Sequence, residues 1–221
     1  MRHRNAFRIA GLIFLSIAWC VSPGPLFAAD ETPAVTTDVR ELVRAGIDLE
    51  RSRKWIEAIE HYEKATKVNP DSRELEYGLR RSKIYFGVER RYSDKSFAQN
   101  LLRLSRAQSL ALLDEILTKV QMHYVDDVSA WSFTAHGTES LYLALNDERF
   151  REANIPQRLR GRVDGVRQSL RQNYWNKEVV SREAARMLVI EICDLCHKQL
   201  EVPHAAVIME YIFGGCNSLD D

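Results

Sequence analysis

The chain has little of what β-sheets, long loops and disulfide frameworks require. Its 221 residues include only six prolines, ten glycines and four cysteines, and its 31 basic side chains equal its 31 acidic ones. The scarcity of turn residues and of alternating apolar and polar residues argues against an extensive sheet. The lack of excess positive charge argues against nucleic acid as a partner. No complete catalytic motif is present, so the sequence indicates a fold class and a location more closely than a reaction.

The first 29 residues have the order of a secretory signal peptide. Three arginines within the first eight residues precede an apolar run from Ile9 to Val21, and small residues before Asp30 offer a cleavage site. The run is short for a bilayer, so we expect cleavage and no stable membrane span afterwards; an uncleaved signal anchor is the alternative. The mature part, with 28 basic and 31 acidic side chains, is predicted to be secreted or periplasmic, in a bacterial envelope. Residues 30–37 are predicted to form a linker.

The remaining residues predict an all-α protein. Apolar residues recur at helical spacing, and start and stop signals separate the segments. Two helices are expected over residues 38–53 and 55–68, and Asp71, with Glu74 three residues later, predicts the start of a third that reaches about Tyr92. Later helices are expected to begin near Ser105, Ser129, Pro156, Ser181 and Pro203, and the last of them to end at Gly214 and Gly215.

One segment, residues 39–72, has the spacing of a helical repeat. Counted from Val39, the eighth, twentieth, twenty-fourth, twenty-seventh and thirty-second positions are Gly46, Ala58, Tyr62, Ala65 and Pro70. Small residues at these positions allow two helices to touch, and the proline ends the second helix. This pattern resembles the tetratricopeptide repeat. The resemblance implies a protein-binding hairpin with a capping helix over residues 38–92, followed by a helical bundle over 93–221; an ordinary helical hairpin is the alternative.

In tetratricopeptide proteins, certain positions of the first helix line a concave groove that binds a partner. By this resemblance, the partner-binding positions here are Arg40, Val43, Ile47, Glu50 and Arg51. The expected partner is a protein or peptide of the cell envelope, bound as an extended segment or as a helix. Because a single repeat forms only a shallow groove, a merely solvated face is the alternative.

Two short segments in the second half carry a second resemblance. Residues 123–127 read His-Tyr-Val-Asp-Asp after a long amphipathic helix, and residues 218–221 read Ser-Leu-Asp-Asp. Both resemble the helical N-terminal region of C-terminal processing peptidases, which are secreted serine–lysine proteases with a PDZ domain. The resemblance implies that a PDZ domain would begin near Asp221 and that the catalytic serine and lysine would lie beyond it. The final Asp220-Asp221 departs from the Asp-Pro pair common in that family. No catalytic residue is therefore assigned, and a non-catalytic scaffold is expected; a stand-alone tetratricopeptide-like adaptor is an alternative.

A C-x-x-C-H pattern, formed by Cys193, Cys196 and His197, is typical of covalent attachment of c-type haem. A haem-containing electron carrier is thus a further alternative. Against it, the two cysteines share helical spacing with Val189, Ile192 and Leu200, a pattern that predicts a buried stripe. We therefore expect cysteines packed in the core and no cofactor.

The same residues, with His204, would also supply four zinc ligands. Spacing of three and four residues would place Cys193, Cys196 and His197 on one side of a helix. The interval to His204 matches no common zinc finger, so no metal site is predicted. A disulfide is a further alternative in a secreted chain.

Overall fold

The computed structural model describes residues 38–123, 129–217 and 219, and the regular structure within them is helical throughout. The predicted all-α class is confirmed. The predicted signal peptide (1–29), the linker (30–37) and most of the two peptidase-like segments (124–127, 218 and 220–221) lie outside the described residues. The α-helices of the described part are α1 (Val39–Arg51), α2 (Trp55–Val68), α3 (Arg73–Ser93), α4 (Arg106–His123), α5 (Ala130–Ala144), α6 (Glu148–Asn154), α7 (Val163–Ser169), α8 (Arg182–Leu200) and α9 (His204–Asn217).

The ends of the first three helices follow from local hydrogen bonds. The carboxylate of Asp38 accepts a hydrogen bond from the backbone N–H of Arg40 at the start of α1. After α1 the chain reverses through Arg53, whose φ of 55° lies in the left-handed region. The start of α3 differs from the prediction by one residue: the hydroxyl of Ser72, rather than Asp71, accepts from the N–H of Leu75.

The fully buried ring of Tyr62 holds α1, α2 and α3 together. A Cβ atom added to Gly78 would lie 2.5 Å from the Tyr62 ring, and one added to Gly46 would lie still closer. The ring therefore fills the space that two missing side chains leave on α1 and α3. Ala58 and Ala65 on α2 are buried, as the motif predicts. The tetratricopeptide assignment itself stays a prediction.

Helix α9 forms the centre of the bundle and packs against α4, α5 and α8. Ten of its fourteen residues are buried, so it has almost no solvent-facing side. The prediction that Gly214 and Gly215 end this helix is wrong, because α9 continues to Asn217. A Cβ atom on Gly214 would lie 2.6 Å from the backbone carbonyl oxygen of His136 on α5. These glycines serve close contact between helices and do not terminate one.

Two further features of the bundle were not predicted. Helix α6 begins where Asp147 accepts hydrogen bonds from the N–H groups of Arg149 and Phe150. The single helix predicted from Pro156 to about residue 174 is a continuous helical run of three geometries: 3₁₀ over Gln157–Arg162, α over α7, and π over Leu170–Tyr174. A second π-helical turn, Phe97–Leu101, follows α3 and lies within the short helical segment that the sequence predicts over residues 97–104.

Ion pairs join the hairpin to the bundle within one compact unit, residues 36–221. Arg80 on α3 lies 2.9 Å from Glu139 on α5, and Arg53 lies 3.2 Å from buried Asp147. Both acids are almost fully enclosed, so each is neutralised by an arginine from the hairpin. Among the described helices, none combines the length and the apolar character needed to cross a bilayer.

Substituting Gly78 by alanine should destabilise the protein by about 1–3 kcal/mol, because the new methyl group meets the enclosed Tyr62 ring. The matched control is Gly165→Ala in α7, where a Cβ atom meets nothing within 4 Å. The control should gain about 0.5–1 kcal/mol from helix propensity. Urea unfolding monitored by circular dichroism measures both changes, and equal changes would show that Tyr62 does not fill this space.

Candidate functional site

The five predicted partner-binding positions of α1 do not form one open surface. Arg40 and Arg51 are exposed, and Arg51 lies 3.4 Å from Asp48 one turn earlier. Val43 packs against the small apolar cluster around Tyr62, and Ile47 is half-buried. Only the two arginines therefore present charged groups to solvent.

Glu50, the fifth position, joins α1 to α3. Both of its oxygens accept hydrogen bonds from the Arg81 guanidinium at 2.9 Å, and one also accepts from the hydroxyl of Ser82 at 3.0 Å. A bidentate arginine–carboxylate pair of this kind fixes side-chain geometry strongly. Glu50 thus stabilises the hairpin, and binding to a partner would require this pair to break.

The structure separates the members of the C-x-x-C-H pattern. Cys193 and Cys196 are buried in the main apolar core, whereas His197 is exposed on α8. The Nδ1 atom of His197 lies 3.3 Å from the backbone carbonyl oxygen of Val202, at the turn into α9. Within the described residues, no group of three or more histidine, cysteine, aspartate or glutamate side chains is arranged to hold a metal ion.

Burial makes the two core thiols poor nucleophiles and poor ligands. It raises the pKa of Cys196 to about 12. The pKa of Cys193 is also raised, first by burial and then by the neighbouring Cys196. Because the thiolate is the reactive form, both cysteines remain protonated near neutral pH. The prediction that they pack as core residues is supported by this environment.

A pair of histidines occupies the corner between α8 and α9. The rings of His197 and His204 stack with their centroids 4.7 Å apart. His204 also lies 3.6 Å from Asp194, which is itself paired with Arg106 on α4 at 2.9 Å. Burial, and then the charges of Arg106 and His197, lower the pKa of His204, while Asp194 opposes the shift. The Cys193 thiol lies 3.9 Å from the backbone carbonyl oxygen of His204, but burial raises its pKa and keeps it protonated, so it does not act as a nucleophile beside the histidines.

A fully buried acid, Glu210, lies at the middle of α9. Its side chain is fully enclosed and lies 2.7 Å from the guanidinium of Arg91. The hydroxyl of Ser140 donates to the same carboxylate oxygen at 2.9 Å. One turn of α9 further on, Arg91 also lies over the ring of Phe213, 4.5 Å from its centroid. The Glu210 carboxylate is closed to solvent and serves a structural role, whereas Arg91 is half-buried and also borders the surface beside Phe213.

A surface feature beside α3 was not among the predicted positions. Two adjoining hollows flank the exposed side of α3, and we call them together the α3 groove. The first, of about 570 Å³, is bounded by α3 and the first turn of α2, and the second, of about 590 Å³, by α3, the turn at 97–101 and Phe213. Both share Phe86, Arg90 and Asp94. The sequence contained one indication of this surface: Phe86 lies four residues before Arg90 on a predicted helix. This spacing places the two side chains next to each other.

Comparison with known protein families, with curated proteins and with solved structures found no match to this chain. The resemblances to the tetratricopeptide repeat and to C-terminal processing peptidases therefore rest on the sequence motifs alone. The functional argument accordingly depends on surfaces and side-chain environments rather than on relatives.

Replacing Cys193 and Cys196 with alanine should lower the melting temperature and leave the visible absorption spectrum unchanged. Loss of buried sulfur costs about 1 kcal/mol or more at each site. The measurement uses residues 30–221 with Cys216→Ala as the background, so that the two core cysteines are the remaining thiols. In this background iodoacetamide should modify them only after unfolding, as read by mass spectrometry. Rapid alkylation of the native protein would contradict the burial.

The stability of the α8–α9 corner should decrease as the pH falls. The pKa of His204 is lower in the folded state than its usual value near 6.5, so the unfolded chain takes up a proton first. The contribution of neutral His204 is complete above pH 6.5 and is lost as the pH drops towards the lowered folded value. Urea unfolding at several pH values should show a flatter dependence for His204→Gln than for the wild type. Parallel curves would exclude this contribution.

Proposed function

We propose that the protein is a non-catalytic helical scaffold that binds another protein in the cell envelope. The observation that carries this proposal is the attachment of the hairpin. Arg53, Arg80 and Arg91 hold it on the bundle through nearly or fully enclosed acids, while α1 and the α3 groove stay open to solvent. A rigid framework with accessible surfaces is typical of interaction modules.

Within this proposal, the chain is the N-terminal part of a protein related to C-terminal processing peptidases. The support is the sequence of the two short motifs, which follow directly on α4 and α9. The discriminating observation is the coding sequence that follows Asp221. A PDZ domain with a serine–lysine pair there supports the kinship, and an unrelated coding sequence or a stop favours the stand-alone adaptor.

A c-type haem protein is less well supported by the geometry. Thioether bonds would have to form at Cys193 and Cys196, whose sulfur atoms lie in the apolar core. The histidine of the motif is positioned against the Val202 carbonyl group. A Soret band that survives extraction with acid–acetone would nevertheless establish the alternative.

The interaction proposal predicts a loss of partners when Arg40 and Arg51 are both changed to glutamate. Reversing two exposed charges should disrupt a protein that contacts α1 but should leave the fold intact. The experiment is a cross-linked pull-down from envelope extract, quantified by mass spectrometry. The matched control, Arg162→Glu with Arg171→Glu, makes the same change of charge on exposed residues of the bundle. Identical sets of captured proteins for both variants and the wild type would remove α1 as a binding surface.

A further inference from the structure

The α3 groove has the shape of a saddle. Phe86, Arg90 and Asp94 follow one another at four-residue intervals and therefore form a ridge along the outer side of α3. The first hollow also contains Glu89 and Ser93, whereas the second contains Gly87 and Arg91. Residues at these offsets lie on opposite flanks of a helix, so the two hollows lie on either side of the ridge.

Both hollows have apolar side chains within reach of solvent. In the first hollow, Ile56 is 55% exposed, while Trp55 beside it is buried. In the second hollow, Leu101 and Phe213 are half-buried, while Phe97 is buried. Each hollow therefore suits one apolar side chain of a bound molecule.

Three charged side chains that border the two hollows, Glu57, Arg90 and Asp94, make no ion pair with any residue that the structure describes, and Arg90 is the cation among them. Glu89 pairs with Arg53 and Arg149, and the carboxylate of Asp94 accepts two hydrogen bonds from Ser96. Arg90 is exposed and lies over the Phe86 ring at 5.5 Å. The guanidinium of Arg90 is therefore available to pair with a carboxylate of a bound molecule.

We propose that the α3 groove binds an extended segment of a partner protein with the order apolar–any–acidic–any–apolar. This inference rests on the proposed role as an interaction module and names the surface and the chemistry of its partner. The acidic side chain pairs with Arg90 on the ridge, and the apolar side chains enter the two hollows.

The spacing of this segment follows from the geometry of both partners. In an extended chain, alternate side chains point to one side, so the first, third and fifth residues face the groove together. Four steps of an extended chain span about 13 Å, which matches the width of about 10–12 Å of the helix that lies between the hollows. An acidic residue at the third position then lies over the ridge. Glu57, which borders the first hollow, favours a basic residue at that end of the segment.

The test uses a fluorescein-labelled peptide with Leu-Ser-Glu-Ser-Leu at its centre, and matched peptides with glutamine or lysine replacing the glutamate. Fluorescence anisotropy should show saturable binding of the glutamate peptide to the wild type. Arg90→Gln should weaken it about tenfold, as expected for loss of a charged hydrogen bond. Ile56→Ser should also weaken it, whereas Arg171→Gln, a matched substitution outside the groove, should not. Arg90→Glu should bind the lysine peptide better than the glutamate peptide.

Failure of this inference differs from failure of the proposed function. No saturable binding up to about 1 mM, or equal weakening by Arg90→Gln and Arg171→Gln, overturns the assignment of the groove. The interaction role still stands in that case if the α1 double variant loses partners that its control retains. Because Arg90, Ile56 and Arg171 are all exposed, circular dichroism should confirm that each variant remains folded.

Discussion

The fully enclosed carboxylate of Glu210 is the buried acid that fixes the end of α3 against the centre of the bundle. Glu210 lies in the middle of a helix with almost no solvent-facing side, where an unpaired charge would be very unfavourable. Arg91 reaches it from α3, and Ser140 reaches it from α5. Removing one partner of such a pair typically costs about 3–5 kcal/mol, because the other charge remains in the core. The position of α3 on α9 is therefore fixed, and with it the second hollow, whose wall contains both Arg91 and Phe213.

Charged groups on α1 also need partners within the protein. For this reason α1 presents only some of its predicted binding positions to solvent. Helix α3 packs on α1, and Glu50 is used to bind Arg81 and Ser82 on α3. The open apolar surface lies instead on the outer side of α3. Glu50 of α1 thus contributes to internal stability, while the outer side of α3 stays exposed.

Much of the fold could be predicted from the sequence because helical periodicity and caps are local. The bounds of α2 agree with the prediction, and the residue that caps α3 lies one position after the predicted one. The end of α9 was predicted wrongly because Gly214 and Gly215 are also typical of a helix end. Only their close packing against α5 shows that they lie inside the helix. Helix α6 was missed although Asp147, with Glu148 after it, is a recognisable start. The candidate groove could not be predicted, since it combines three segments that are distant in sequence.

The enclosed thiols of α8 place a condition on the order of events during maturation. In an oxidising compartment, Cys193 and Cys196 are exposed to oxidants as long as the chain is unfolded, and they are protected once the core has formed. A thiol that is oxidised or forms a disulfide before the core packs would gain extra atoms or a cross-link. The core has space only for two free sulfur atoms, so this modification would disturb its packing. In such a compartment the chain would have to fold faster than it oxidises. Its yield in such a compartment is governed by that kinetic competition as well as by its equilibrium stability.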